Sequence, residues 1–302
     1  MKTTVTKKHR LSTTNRVKAR WAWFFVMPWL LVFLVFYVYP LFYGLYVSFT
    51  NYGLNKMDWV GLANYKKIFS DYAFWRSVIG TLGYAVIVIP LSIFLPLWIA
   101  NTIRNHSNGF SNLTKVLIYL PGVLCSTALV IVWKFLLQPG TGLVSQLLTK
   151  IGVTYFSVFD NAALSIPVLG LLIALTGLGT NLIIYCAALN GISQEYYDAA
   201  ELDGASKFQQ FWNITFPLLH PTNVYVLITG TIGALQIFEI PKLMTGGGPN
   251  FTSSTILLMI YDSAFGQNEF GYASAIGVVL FVVTAIIAAI QFRVTQKETV
   301  EY

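Results

Sequence analysis

Charge is what this chain has least of. Lys, Arg, Asp and Glu make up 10% of its 302 residues, where a soluble domain carries roughly a quarter. Hydrophobic residues make up 56% and the mean hydropathy is +0.64, so the composition excludes a water-soluble globule and reads as an integral membrane protein. Cysteine is nearly absent. Cys125 and Cys186 lie inside apolar runs, where a thiol behaves as a small apolar side chain, and no disulfide framework follows. The three histidines, His9, His106 and His220, have no Cys or His neighbour at ligand spacing, which argues against a metal site. Phosphate-cradling Gly-x-x-x-x-Gly-Lys-Ser/Thr, His-Glu-x-x-His and Gly-x-Ser-x-Gly are all missing. With no constellation for covalent chemistry, an enzyme is disfavoured.

What is present is a set of charge-free stretches, at 21–55, 77–103, 116–133, 161–194, 208–238 and 270–292. A helix needs about 20 mostly apolar residues to cross the hydrocarbon. Six runs therefore predict an all-α polytopic protein with six transmembrane helices, near 21–49, 78–100, 113–137, 164–189, 218–238 and 272–292. The first run is longer than a signal-peptide core and lacks a small-residue cleavage site, so it is read as a retained span. The net charge of +7 is skewed along the chain rather than gathered as a nucleic-acid patch. Seven of the nineteen basic residues (Lys2, Lys7, Lys8, Arg10, Arg16, Lys18, Arg20) precede the first span, with no acid among them. With both termini and the loops after spans two and four in the cytoplasm, Arg104, Lys115, Lys207, Arg293 and Lys297 join them. That gives 12 basic residues inside against 7 outside, as the positive-inside rule requires. The expected layout is a basic tail at 1–20, unstructured before it docks on anionic lipid, a six-span domain at 21–293 and a polar tail at 294–302.

Between the spans, 50–76 alternates apolar and charged residues around Tyr65, Phe69 and Trp75, which predicts a short amphipathic helix on the outer interface. Pro90, Pro96 and Pro121 interrupt spans two and three. Gln138-Pro139-Gly140-Thr141-Gly142 is a turn signal. Thr245-Gly246-Gly247-Gly248-Pro249-Asn250 cannot be regular helix.

One polar island stands out, at about 190–217. It holds four of the twelve acids, Glu195, Asp198, Glu201 and Asp203. Acids and alanines ahead of a glycine predict a short helix across the membrane face, stopped by Gly204 where a left-handed terminus needs no Cβ. Pro217 and Pro221 mark the entrance to span five. Asp198-Ala199-Ala200, then Asp203-Gly204-Ala205, with Ile214 and Phe216-Pro217 beyond, resemble the EAA loop of ABC importer permeases. Asp198 stands where the leading Glu is usual, and Phe216 where a Leu is. Phe238-Glu239 with Thr245-Gly246-Gly247-Gly248-Pro249, and Tyr261, Ala264-Phe265 and Gly271-Tyr272-Ala273-Ser274-Ala275, resemble the maltose-type carbohydrate permeases. Pro121-Gly122, Trp133 and the 138–142 turn do so too. The resemblance covers about 20–295.

The resemblance implies a type I importer permease in the bacterial cytoplasmic membrane. Its partners would be a second homologous permease, two ATPase subunits that bind ATP and Mg, and an extracytoplasmic sugar-binding protein. This chain would hold no cofactor. Glu195, Asp198, Ala199, Ala200, Glu201, Asp203 and Gly204 would couple to an ATPase groove; the alternative is that the acids only solvate the loop. Counted from the loop, sugar-contacting positions of the maltose permease fall at Thr176, Gly177, Thr180, Gly230, Gly233, Ala234 and Ile237, and packing between helices explains such small residues equally well. Independently of the resemblance, Asn181, Tyr185, Thr229 and Gln236 are polar groups in apolar runs that need partners, either across spans or on a sugar. Glu239 is read as an interfacial or inter-subunit acid rather than a ligand for a neutral sugar. No basic residue falls in spans four to six, which favours neutral oligosaccharides over glycerol 3-phosphate. An ATP-independent secondary transporter would need a coupling acid within a span, and none is found away from the span ends.

Overall fold

The structure, a computed structural model, describes residues 13–53, 56–104, 106–152 and 157–296. Most of the tail expected at 1–20 and the end of the tail at 294–302 lie outside the described residues, among them His9, Lys2, Lys7, Lys8, Arg10 and Lys297. Helix already begins at Thr13, within the stretch read as an unstructured tail. The first span, α1, is Trp21–Val47. A π-helical turn at Leu34–Val38 precedes Pro40, which has no N–H for the regular ladder.

The segment after the first span departs from the all-α expectation. Thr50–Tyr52 (β1) and Met57–Trp59 (β2) form an antiparallel ribbon with Thr50 opposite Trp59. The expected amphipathic helix follows as α2, Ala63–Ser70. Asn64 Nδ2 donates to the Ser48 and Thr50 carbonyls, both at 2.9 Å, and so ties α2 to the end of α1. Asp71 caps the next helix by accepting from the Ala73 N–H at 2.8 Å.

That helix, α3, runs Tyr72–Ile103, longer than the apolar run because its ends carry polar side chains past the hydrocarbon. The third span is not one rod. Asn108–Val123 (α4) and Ser126–Leu136 (α5) meet at a 97° bend. Pro121 removes a ladder donor near the end of α4, and Leu124 and Cys125 are extended, with ψ 149° and 122°. Then come α6 (Leu143–Lys150), α7 (Ala162–Asn190) and α8 (Glu195–Leu202). The fifth span is interrupted: α9 is His220–Leu235 and α10 is Glu239–Met244. After the glycine-rich segment, α11 is Ile256–Tyr261 and α12 is Phe270–Gln296. Among the described residues, five helices are long and apolar enough to cross a membrane, and the bent pair makes six if taken as one span.

α3 and α7 pack along each other at the centre, with α4 on α7 and α9 on α3. Three apolar clusters fill the bundle: Tyr84, Leu169 and Ile237 midway; Leu97, Leu182, Leu219 and Val226 near α8; and Ile68, Phe74, Tyr272 and Ile276 near the ribbon. Lipid supplies no hydrophobic drive between helices, so close approach and hydrogen bonds decide the packing. At the ribbon end both are dense. Gly80 lets α3 approach so closely that a Cβ there would run into the Ser254 carbonyl oxygen. Ser77 donates to Ser254 Oγ at 3.0 Å, Tyr84 donates to the Ser253 carbonyl at 3.1 Å, and Thr81 Oγ1 accepts from the Ile256 N–H at 3.0 Å. α1 is the opposite case: no side chain in its apolar window is buried, and it meets α12 only through its last turns.

Candidate functional site

The island folds as a short helix with a defined stop. In α8, Glu195 and Asp198 sit in the first turn, where the helix dipole favours anions. At its other end Gly204 has φ +78°. The Ala205 N–H donates to the Ala200 carbonyl at 2.9 Å and the Gly204 N–H to that of Glu201 at 3.1 Å, a Schellman pattern that satisfies the last carbonyls. Glu195, Asp198, Ala199, Glu201, Asp203 and Gly204 are exposed and Ala200 is half-buried.

Anchorage of α8 falls to Tyr197, which is buried. Its hydroxyl pairs with Thr215 Oγ1 at 2.9 Å, and the Arg104 guanidinium lies 4.3 Å from its ring centroid, a cation–π contact from the end of α3. Gln194 links both sides, accepting from Arg104 at 3.3 Å and donating to Asp198 Oδ1 at 3.1 Å. The aromatics that follow Gly204 divide. Phe211 packs on the bundle and Trp212 lies 5.2 Å from the Phe216 ring, whereas Phe208 stands out at 73% exposure beside Leu202 at 90%.

Midway along the bundle lies a cavity of about 710 Å³ between α3, the α4–α5 bend, α7 and the α9–α10 break, a size typical of small-molecule sites. Thr176, Gly177, Thr180, Asn181, Thr229, Gly230, Gly233, Ala234, Gln236 and Ile237 all line it. Tyr185 does not. It is buried in the cluster near α8 and donates to Asn223 Oδ1 at 3.0 Å. The cavity stripe on α7 continues at Ile184, and one residue further on turns the side chain by about 100°, away from it. Asn181 both lines the cavity and bridges spans, its Nδ2 donating to the Ser92 carbonyl at 3.1 Å.

Sequence reasoning missed Ser92, Ser126, Trp133, Tyr225 and Glu239 as lining residues. Glu239, read as an interfacial or inter-subunit acid, lines the cavity: α9 stops at Leu235 and helix resumes at Glu239 within the one span His220–Met244. Its Oε1 accepts from Ser126 Oγ at 2.5 Å and from Thr127 Oγ1 at 3.4 Å. One observable could have found it: Gln236 and Glu239 are three apart, and both follow the stripe of Gly230 and Gly233. The lining contains no Lys or Arg. Among the described residues no group of three or more His, Cys, Asp or Glu is placed to hold a metal ion.

The family described as binding-protein-dependent transport system inner membrane component matches residues 74–299. A multiple sugar-binding transport system permease protein of Streptococcus mutans is 29% identical over 92% of this chain and 96% of its own length. An sn-glycerol-3-phosphate transport system permease protein of Agrobacterium fabrum is 28% identical over 90% and 93%. Among solved structures, a bacterial ABC transporter involved in the import of the acidic polysaccharide alginate superposes with a TM-score of 0.84 at 25% identity, over 95% of this chain and 99% of that one. The chain therefore belongs to the binding-protein-dependent transport system inner membrane components, and is a non-catalytic, multi-pass permease subunit of an ABC importer in the inner membrane.

Proposed function

We propose that the chain is the permease subunit of an ATP-driven, binding-protein-dependent importer of neutral oligosaccharides, of the maltose type, and that it forms the pathway with a second, homologous permease. The observation that carries the sugar reading is the cavity lining. It offers hydroxyls and amides from Thr176, Thr180, Asn181, Thr229 and Gln236, aromatic rings from Trp133, Tyr225 and Phe238, and no cation among the described residues. Such a wall suits an uncharged polyol with apolar ring faces.

In this reading α8 lies in the cytoplasm. Its acids meet basic groups of an ATPase subunit, one of a pair that binds ATP and Mg. The extracytoplasmic sugar-binding protein delivers its load at the ribbon end. Closure of the ATPases moves α8, and with it the ends of α7 and α9, as one body, since Tyr197 ties α8 to Thr215 and Arg104. Uptake of glycerol 3-phosphate is the second reading, favoured by the relative named for it. It requires the partner permease to bring all the basic groups, since this half supplies none to the lining. The test is uptake into vesicles holding both permeases and the ATPases, driven by ATP with the binding protein outside. Accumulation of a neutral oligosaccharide is expected, and accumulation of glycerol 3-phosphate with no sugar would overturn the assignment.

A further inference from the structure

Among the described residues, Glu239 is the only formally charged side chain in the cavity lining, and its carboxylate is held in place. Oε1 takes the Ser126 and Thr127 hydroxyls from the first turn of α5, while Oε2 accepts from no described residue. Lys242, on the same helix, does not neutralise it, because its Nζ pairs with Asp262 Oδ1 at 2.6 Å. Trp133 also lines the cavity, seven residues beyond Ser126 on α5 and so on the same face. A fixed acceptor and an aromatic plane carried by one helix pair present a polar edge and an apolar face, the two surfaces of a pyranose ring.

We propose that Glu239 determines which saccharides the cavity accepts. Its Oε2 accepts a sugar hydroxyl while the ring lies against Trp133, and its charge turns away saccharides that carry carboxylates, because like charges in an apolar-walled site are poorly screened. The inference rests on the sugar-import reading and goes beyond it, since it assigns the selection between neutral and acidic sugars to one side chain.

The test uses the assembled importer in lipid nanodiscs without its binding protein, whose own selectivity would mask the effect. Two probes are titrated, maltopentaose and an alginate pentasaccharide, with binding read by saturation-transfer NMR. The unaltered importer is expected to bind maltopentaose at least about tenfold more tightly, as loss of a charged hydrogen bond and added repulsion would imply. Glu239→Gln weakens maltopentaose about tenfold and brings the two probes to within about twofold of each other. Glu239→Asp keeps the charge, so it keeps the exclusion of the acidic probe, and it separates loss of charge from loss of folding. Glu239→Gln binding both probes as the unaltered importer does would overturn the proposal alone. Failure of the unaltered importer to bind either pentasaccharide would remove the sugar reading and this inference with it.

Discussion

At the ribbon end of the bundle, α3 and the loop before α11 approach backbone to backbone at Gly80 and share two buried hydroxyl bonds, with a third between Thr81 and the start of α11. At the α8 end, α8 is held by the Tyr197–Thr215 hydroxyl pair, the Arg104 cation over the Tyr197 ring and the Arg104–Gln194 hydrogen bond, and its acids face outward. If α8 couples to an ATPase as proposed, the contrast separates two jobs. A surface that must keep one shape is locked by contacts that tolerate no added atom, whereas a part that must transmit a push needs only a stiff unit on a few firm points. The Schellman stop at Gly204 and the Tyr197 anchor provide that unit, with α8 free to present its acids.

The sharpest way to break the comparison is Gly80→Ala. The new Cβ meets a backbone oxygen that no side-chain rotation can move, and the expected loss is about 1–3 kcal/mol or more, read as a fall in the unfolding midpoint of the purified importer in detergent. Next comes Tyr84→Phe. It leaves the Ser253 carbonyl without its donor in an apolar surround, for about 1–2 kcal/mol, measured in the same way. At the other end Gly204→Ala forces a Cβ into a left-handed conformation and costs about 1 kcal/mol; an effect as large as that of Gly80→Ala would mean that the two ends are equally locked. The smallest stability effect is expected for Glu201→Lys, within about 0.5 kcal/mol. Its ion pair with Lys207 at 3.5 Å is exposed on both sides and contributes little. ATP-driven uptake should nevertheless collapse in that variant, and uptake at the original rate would show that the acids of α8 serve only to keep the loop soluble.

Much of the architecture was legible because crossing a bilayer demands long charge-free runs, which stand out in any sequence. The positions of α3, α7 and α12 follow directly from them. The stop at Gly204 was legible for a local reason: only a residue without Cβ takes that turn cheaply. The ribbon at 50–59 was not, since two three-residue strands carry too few residues for an alternation to register. Hydropathy also could not foresee the 97° turn at Leu124. Pro121 announces a break but not its angle, which depends on where α5 finds α10. Glu239 is a related case. A charge ends a hydropathy run, which sets it at a span end, whereas helix resumes at Glu239 and carries the span on to Met244 along the cavity wall. Tyr185 erred by one residue of helical rotation, which a pattern of polar groups in apolar surroundings does not resolve.

The isolation of α1 bears on how the protein is made. A helix that satisfies its own backbone and leans on its own bundle only through its last turns can settle in the bilayer while the ribosome is still extending the chain. The first helix in a polytopic chain usually sets the sense of the later crossings. An error at this step cannot be repaired by packing, because α1 shares almost no packing with the rest, and the burden of correct orientation falls on the residues flanking it.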